Sequence, residues 1–380
     1  MLQKGMDQTE NRARKSFRDR ALGFGDLGRL ELAFRQAGMT IPTTERFTGT
    51  AATLSGWVFC MHVAFVYTLS ARPSKVKTPA VYSRRAGRPV LFYIVIGRIL
   101  LAWGVLMLID VHTHVFPDHL AARALATLTA KTGNAIAPVA DGTLSALLEN
   151  LQRDGVDRAV VCPIATRPDL FEGLLREALA LRDGERGKDA ARRLIPFASV
   201  HPDDEARFAH LTRVAESGLI GIKLHPYYQP CVLDAPPMLE FFRCCRDLGL
   251  VVQCHCGFDI GFPFEPVCGP ARVARVMREV PGLRFIASHL GGWRQWEESV
   301  THLLGTDIYL DTAVLRQDRE DPLLLRLLRE HPTDRLLFAT DWPWLGFADG
   351  IAFVRSAALG AKAERAILGG NAIRLLGIPA

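Results

Sequence analysis

The sequence predicts an α/β fold, a single (β/α)8 TIM barrel over residues 107–380, preceded by an unrelated, poorly ordered segment over residues 1–106. Two patterns and one length predict it. From residue 107 onward, short β-rich runs alternate with amphipathic helical stretches, which implies parallel pairing through helical crossovers. The runs end repeatedly in His or Asp, as expected where loops converge on one barrel mouth. The 274 residues from 107 to 380 suit one such barrel.

The eight runs come in order. They are MLIDVHTH (107–114), RAVVCPI (158–164), LIPFASVHP (194–202), LIGIKLHP (219–226), LVVQCHCG (250–257), RFIASHLGG (284–292), DIYLDTA (307–313) and RLLFATDWPW (335–344). Between them, TLSALLENLQRDGV, ARFAHLTRVAESG, MLEFFRCCRDLG and ARVARVMREV carry helical periodicity, and several end at Gly, a common helix stop. The charge mixture RDGERGKDAARR (182–193) reads as a solvated loop. A doubly wound open sheet is the alternative, but no Gly-rich phosphate turn follows the first run.

The first 106 residues differ. They hold 16 Lys+Arg against 6 Asp+Glu, whereas residues 107–380 hold 30 against 34. The overall charge of +6 thus belongs to the N-terminal segment, and the barrel portion shows no nucleic-acid surface. Two apolar stretches, 52–70 and 91–109, flank a basic loop with six Lys/Arg, the pattern of a membrane hairpin. His62 and Arg98 would then sit near mid-membrane, and an Arg there costs about 2.5–3.5 kcal/mol. The second stretch also runs straight into the first barrel strand, and Met107 stands where a compact domain would begin. The expectation is therefore a disordered extension or an upstream start-site assignment, with a membrane anchor as the alternative. The eight cysteines form no Cys-x-x-Cys knuckles and no secreted disulfide framework, so reduced thiols in a cytoplasmic protein are expected.

Five of the 11 histidines fall at strand ends: His112, His114, His225, His255 and His289. Alternate strand residues share a face, so His112 and His114 both point inward and can grip one metal ion. Asp110 shares that parity one layer down. A catalytic metal site takes three or four N/O ligands with one position open, and His255 and Asp341 would complete it across the barrel. A divalent cation lowers the pKa of water from 15.7 towards about 7, which makes a nucleophile at neutral pH.

These pieces, IDVHTH, GIKLHP, QCHCG, ASHLGG, FATDWPW and the closing AILGGNAIRLLG, resemble the amidohydrolase superfamily, and within it the amidohydrolase-2 branch of metal-dependent barrel enzymes. The resemblance spans 107–380 and touches nothing in 1–106. It implies a divalent metal, usually zinc, on His112, His114, His255 and Asp341. It also implies a proton-handling role for His289, with Asp341 shuttling a proton beside the metal. Lys223 and His225 share inward parity and are expected to line the pocket. Some relatives carboxylate a strand-four lysine to bridge two metals; the plainer alternative pairs Lys223 with Asp110, Asp311 or Asp341. Trp293, Trp342 and Trp344 are expected either to wall a substrate pocket or to pack its mouth, and Cys254 and Cys256 to face the helices. His119, His201, His210, His302 and His331 are expected to be structural or on the surface.

The function expected is hydrolysis of an ester, lactone or amide in a small-molecule substrate, by a cytoplasmic enzyme. A non-oxidative decarboxylase on the same barrel is the alternative, since the branch contains both. A third reading is a membrane-tethered, non-catalytic binding protein working through 1–106. No nucleic-acid partner is expected, membrane association would come only through 1–106, and a homo-oligomer is compatible with the sequence.

Overall fold

The computed structural model describes residues 107–379. All eight predicted strands form: β1 (Ile109–Thr113), β2 (Arg158–Val161), β3 (Leu194–Pro196), β4 (Gly221–Leu224), β5 (Val251–Cys254), β6 (Arg284–Ala287), β7 (Tyr309–Asp311) and β8 (Leu336–Leu337). They are shorter than the apolar runs that announced them, because the last residues of each run leave the ladder to build the mouth.

Every paired neighbour is parallel, in the orders β1-β2-β3 and β4-β5-β6-β7-β8. Single bridges join the two sets, Ala198 with Ile222 and Thr113 with Trp342, and Val111 N–H donates to Phe338 O at 3.0 Å. The sheet thus closes on itself and leaves no free edge. The strands read as apolar runs because both faces are covered. One cluster, with Ile109, Val111, Val160, Ile195, Val251 and Ile286, fills the barrel. The larger cluster lies between strands and helices and includes Leu147, Val214, Phe242, Val276 and Leu327.

The helical stretches form as Leu144–Asp154, Arg207–Glu216, Pro236–Asp247 and Pro270–Glu279. Thr143 Oγ1 caps the first by accepting from Ala146 N–H, and Gly155 ends it in the left-handed region. The closing motif seals the far end of the barrel: Asn371 Nδ2 donates to Thr333 O and Leu336 O at 2.7 and 2.6 Å, and Ala372, Leu375 and Leu376 join the inner cluster.

Two expectations need correction. The run 182–193 is not all loop: Lys188–Arg193 is helical and buries Ala190 against the strands. The simple alternation expected for β1 is broken by a register shift between Asp110 and Thr113. Val111 belongs to the inner cluster, and His112 follows it toward the barrel axis, whereas Asp110 pairs with Ala159 of the outer cluster. Asp110 therefore does not stack beneath His112 on one face. The readings of 1–106, as disordered extension or membrane hairpin, lie outside the described residues. Among the described residues no helix is long and apolar enough to cross a membrane.

Candidate active site

The C-terminal ends of the strands surround a cavity of about 330 Å³. His112, His114, His225, His255, His289, Asp341 and Trp293 all line it, and so does Trp344. Lys223 and Trp342, expected to contact substrate, do not line it: both are fully buried. Trp342 belongs to the outer cluster, because the turn after β8 directs its ring into the core and leaves Trp344 at the cavity. Lys223 lies on β4 with its Nζ 2.6 Å from His112 Nε2, and no ion pair with an aspartate forms. The pairing expected with Asp110, Asp311 or Asp341 is replaced by this contact, since the shift in β1 sends His112 across the barrel to meet it.

His112, His114 and Asp341 come together, with one donor atom of each within 4.8 Å of the others. The hydrogen bonds fix which atoms are free. His112 Nδ1 donates to Asp311 Oδ2 at 3.0 Å, and His114 Nδ1 donates to Cys162 O at 2.7 Å. A carboxylate and a carbonyl can only accept, so both rings carry their proton on Nδ1 and keep a lone pair on Nε2, which in His112 also faces Lys223 Nζ. Those Nε2 atoms stand 3.2 Å apart, and Asp341 Oδ1 lies 3.3 and 3.1 Å from them. Burial, then the charge of Lys223, push the His112 imidazole down to about 4, so it is neutral at ordinary pH. Burial by itself would raise the Asp341 carboxyl, but His112 and His114 hold it well below the usual carboxylate range.

Two lone pairs and an anion facing one another repel unless a cation sits among them. Donors about 2.1 Å from a shared divalent ion lie about 3.0–3.4 Å from one another, octahedral to tetrahedral. The observed 3.1–3.3 Å matches that spacing, so these residues fit a divalent metal. The ammonium of Lys223 against the His112 lone pair shows the same demand for positive charge.

His255 is not in that trio. Its Nδ1 donates to His289 Nε2 at 3.0 Å, a direction set because His289 Nδ1 already donates to Ala313 O at 2.7 Å. His255 Nε2 is therefore a bare lone pair, buried and without a partner, as a fourth metal ligand would be. His255 instead groups with His225 and Asp259, whose Oδ2 lies 3.3 Å from His225 Nε2. The His225 and His255 rings stack at 4.1 Å and 12°. Parallel stacked rings send their in-plane lone pairs side by side, so this group does not converge on one ion.

Asp311, expected only as an alternative partner of Lys223, takes a different role at the site. It is fully buried; Oδ2 accepts from His112 Nδ1 and, at 3.1 Å, Gln253 Nε2, while Oδ1 accepts from the His289 and Ala313 N–H groups at 2.8 and 3.1 Å. Burial would raise its carboxyl, but His112, His289 and Lys223 hold it well below the usual range. It thus sets the tautomer of His112 and the position of His289 together. Its signal was its place as the last residue of β7, which no spacing rule connects to His112, 199 residues away. Asp259 and Tyr228 also line the cavity and were not foreseen; both come from loops. His289 and Asp341 have φ of 61° and 59°, conformations uncommon for non-glycine residues and frequent at functional sites.

The family model described as Amidohydrolase matches residues 109–378. No curated protein sequence matches the chain. Among solved structures, a 5-carboxyvanillate decarboxylase from Sphingomonas paucimobilis is similar at TM-score 0.53 and 16% identity, over 72% of this chain and 100% of that one. A dihydroxybenzoic acid decarboxylase from Polaromonas, solved with manganese and an inhibitor, gives 0.55 and 15%, over 71% and 97%. A protein from Acinetobacter baumannii described as a probable 2-pyrone-4,6-dicarboxylic acid hydrolase gives 0.51 and 15%, over 71% and 99%. At these identities the likeness is one of fold, while the family model spans most of the chain: the protein belongs to the amidohydrolase family, as an enzyme of its amidohydrolase-2 group.

Proposed function

We propose that the protein is a metal-dependent hydrolase acting on the carbonyl of an ester, lactone or amide, with zinc held by His112, His114, Asp341 and His255. The observation that carries the reading is the convergence of His112 Nε2, His114 Nε2 and Asp341 Oδ1 at 3.1–3.3 Å on the cavity wall. A divalent cation there supplies Lewis acidity, polarising a carbonyl and activating water for attack.

The side chains of this chain do the rest. Asp341, ionised and partly open to the cavity, accepts a proton from attacking water at its carboxylate and can return it to a leaving group. His289 can take a proton at Nε2 while its Nδ1–H stays bound to Ala313 O, a carbonyl that stabilises the resulting imidazolium. Doing so breaks the bond from His255 Nδ1, so the two imidazoles reorganise together. Trp293 and His225 flank the space a substrate would enter. Lys223 acts here as a buried partner of His112.

Non-oxidative decarboxylation is the second reading, favoured by the mostly apolar lining of the cavity, which strips water from a bound carboxylate. Assaying the zinc-loaded chain on aryl esters and lactones for acid release, beside aryl carboxylates for CO₂ release, separates the two. Acid release without CO₂ is expected; CO₂ from a carboxylate with no hydrolysis of any ester or lactone would replace the first reading with the second. In either case His289→Asn is expected to lower turnover by about 10²–10⁴-fold with metal content unchanged.

A further inference from the structure

Resting on the reading of this cavity as the substrate site, we infer that the substrate has an apolar body of about one ring with an uncharged substituent. It carries no more than one anionic group, the one that meets the metal. The cavity of about 330 Å³ is roughly twice the ~150 Å³ that admits benzene, so a ring and a short tail fill it. Away from the metal donors its wall is mostly apolar, with Phe116, Leu128, Ile136, Ile164, Leu174 and Leu315, and its uncharged polar groups include Thr132, Thr166 and Tyr228.

Charge narrows the choice further. Among the described residues no Arg or Lys lines the cavity, and its formally charged side chains there, outside the histidines, are Asp259 and Asp341, both acidic. Lys131 and Arg294 stand over the rings of the lining residues Tyr228 and Trp293, at 5.1 and 5.0 Å, but do not line it themselves. Arg294 is also paired with Asp318. Lys223 is spent on His112. A second carboxylate on the substrate would lie in a mostly apolar wall with no lysine or arginine among the described residues to meet it, and burying an unpaired charge is heavily penalised. The cavity is therefore unsuited to dicarboxylates such as those in the names of some structural neighbours, whatever bond is broken.

The test compares two probes on the zinc-loaded full chain by titration calorimetry: para-propylbenzoate and para-(2-carboxyethyl)benzoate, which share a ring carboxylate and differ in the charge at the tail. The monoacid is expected to bind at least about tenfold more tightly. Equal or tighter binding of the diacid, or binding of neither, would overturn the inference. Ile164→Arg places a cation on the wall and is expected to narrow or reverse the preference; should it not fold, Leu174→Arg serves. A folded variant with an unchanged ratio would also count against the inference. Zinc content, read separately by elemental analysis, keeps the two readings apart. A chain that takes up no zinc yet keeps the monoacid preference removes the metal assignment, and with it the metal as the anion's partner, but keeps the apolar wall as the basis of selection; bound zinc with diacid preference removes the apolar-substrate inference alone.

Discussion

Asp311 shows how one side chain can organise a site it does not line. By accepting from His112 Nδ1 it leaves Nε2 bare, and by accepting from the His289 N–H it stabilises the left-handed turn after β6. Replacing Asp311 with Asn keeps the shape but offers an acceptor without charge, and its amide can present a donor to His112 instead. Asp311→Asn is expected to weaken metal binding by about 10–100-fold, measured by competition with a chelator, with the fold kept. The His112→Ala/His114→Ala pair removes two of the three converging donors. Elemental analysis is expected to fall from about one metal per chain to none, and full retention would refute the assignment. Cys254 and Cys256 flank His255 yet belong to the outer cluster, fully buried, and burial raises both thiols. They pack against the helices, as parity predicts.

Strand ends rather than strands carry the chemistry, and their backbones approach closely. Gly257, just past β5 with φ 92°, bridges to Trp293; a Cβ there would lie 2.1 Å from Trp293 N. Gly257→Ala is expected to cost about 3 kcal/mol or more in urea unfolding, since backbone rather than a flexible side chain stands in the way. At the end of the helix Pro322–Glu330, His331 is buried with Nε2 donating to Ile308 O. Burial lowers its imidazole below the ordinary 6.5. The folded state therefore holds His331 neutral where the unfolded chain takes up a proton. The stability it contributes is present above pH 6.5 and is lost as pH falls through its depressed value. His331→Gln is expected to flatten the fall in Tm between neutral pH and about pH 5, apart from any change in absolute stability; an unaltered slope would show that other groups set it.

At the scale of the whole molecule, the ladder closes from β1 to β8 and is sealed by Asn371 within the described residues, and we propose on that ground that residues 107–380 fold as a unit. The chain shortened to these residues is expected to unfold in one urea transition and to bind the same amount of zinc per molecule as the full chain. A broad, multistep transition, or loss of metal binding, would show that residues 1–106 complete the fold or the site.

The sequence by itself determined the eight strands, their parallel order and the histidines that gather at the mouth. These depend on local periodicity: apolar runs of strand length, helical spacing between them, and polar residues where each run stops. It also marked His112, His114 and Asp341, the residues proposed to hold the metal, for one neighbourhood, through their places at the ends of β1 and β8. Only the tertiary structure decided the rest. The shift between Asp110 and Thr113 depends on how β1 meets β2, so parity counted along β1 alone misplaced Asp110. Lys223 meets His112 and Asp311 orients it because residues 111 and 199 positions apart are brought together by closure of the barrel. Trp344 reaches the cavity and Trp342 does not, because one turn decides which ring enters the core. The mostly apolar wall of the cavity is drawn from several loops and helices, a sum over distant segments that no single stretch of sequence displays.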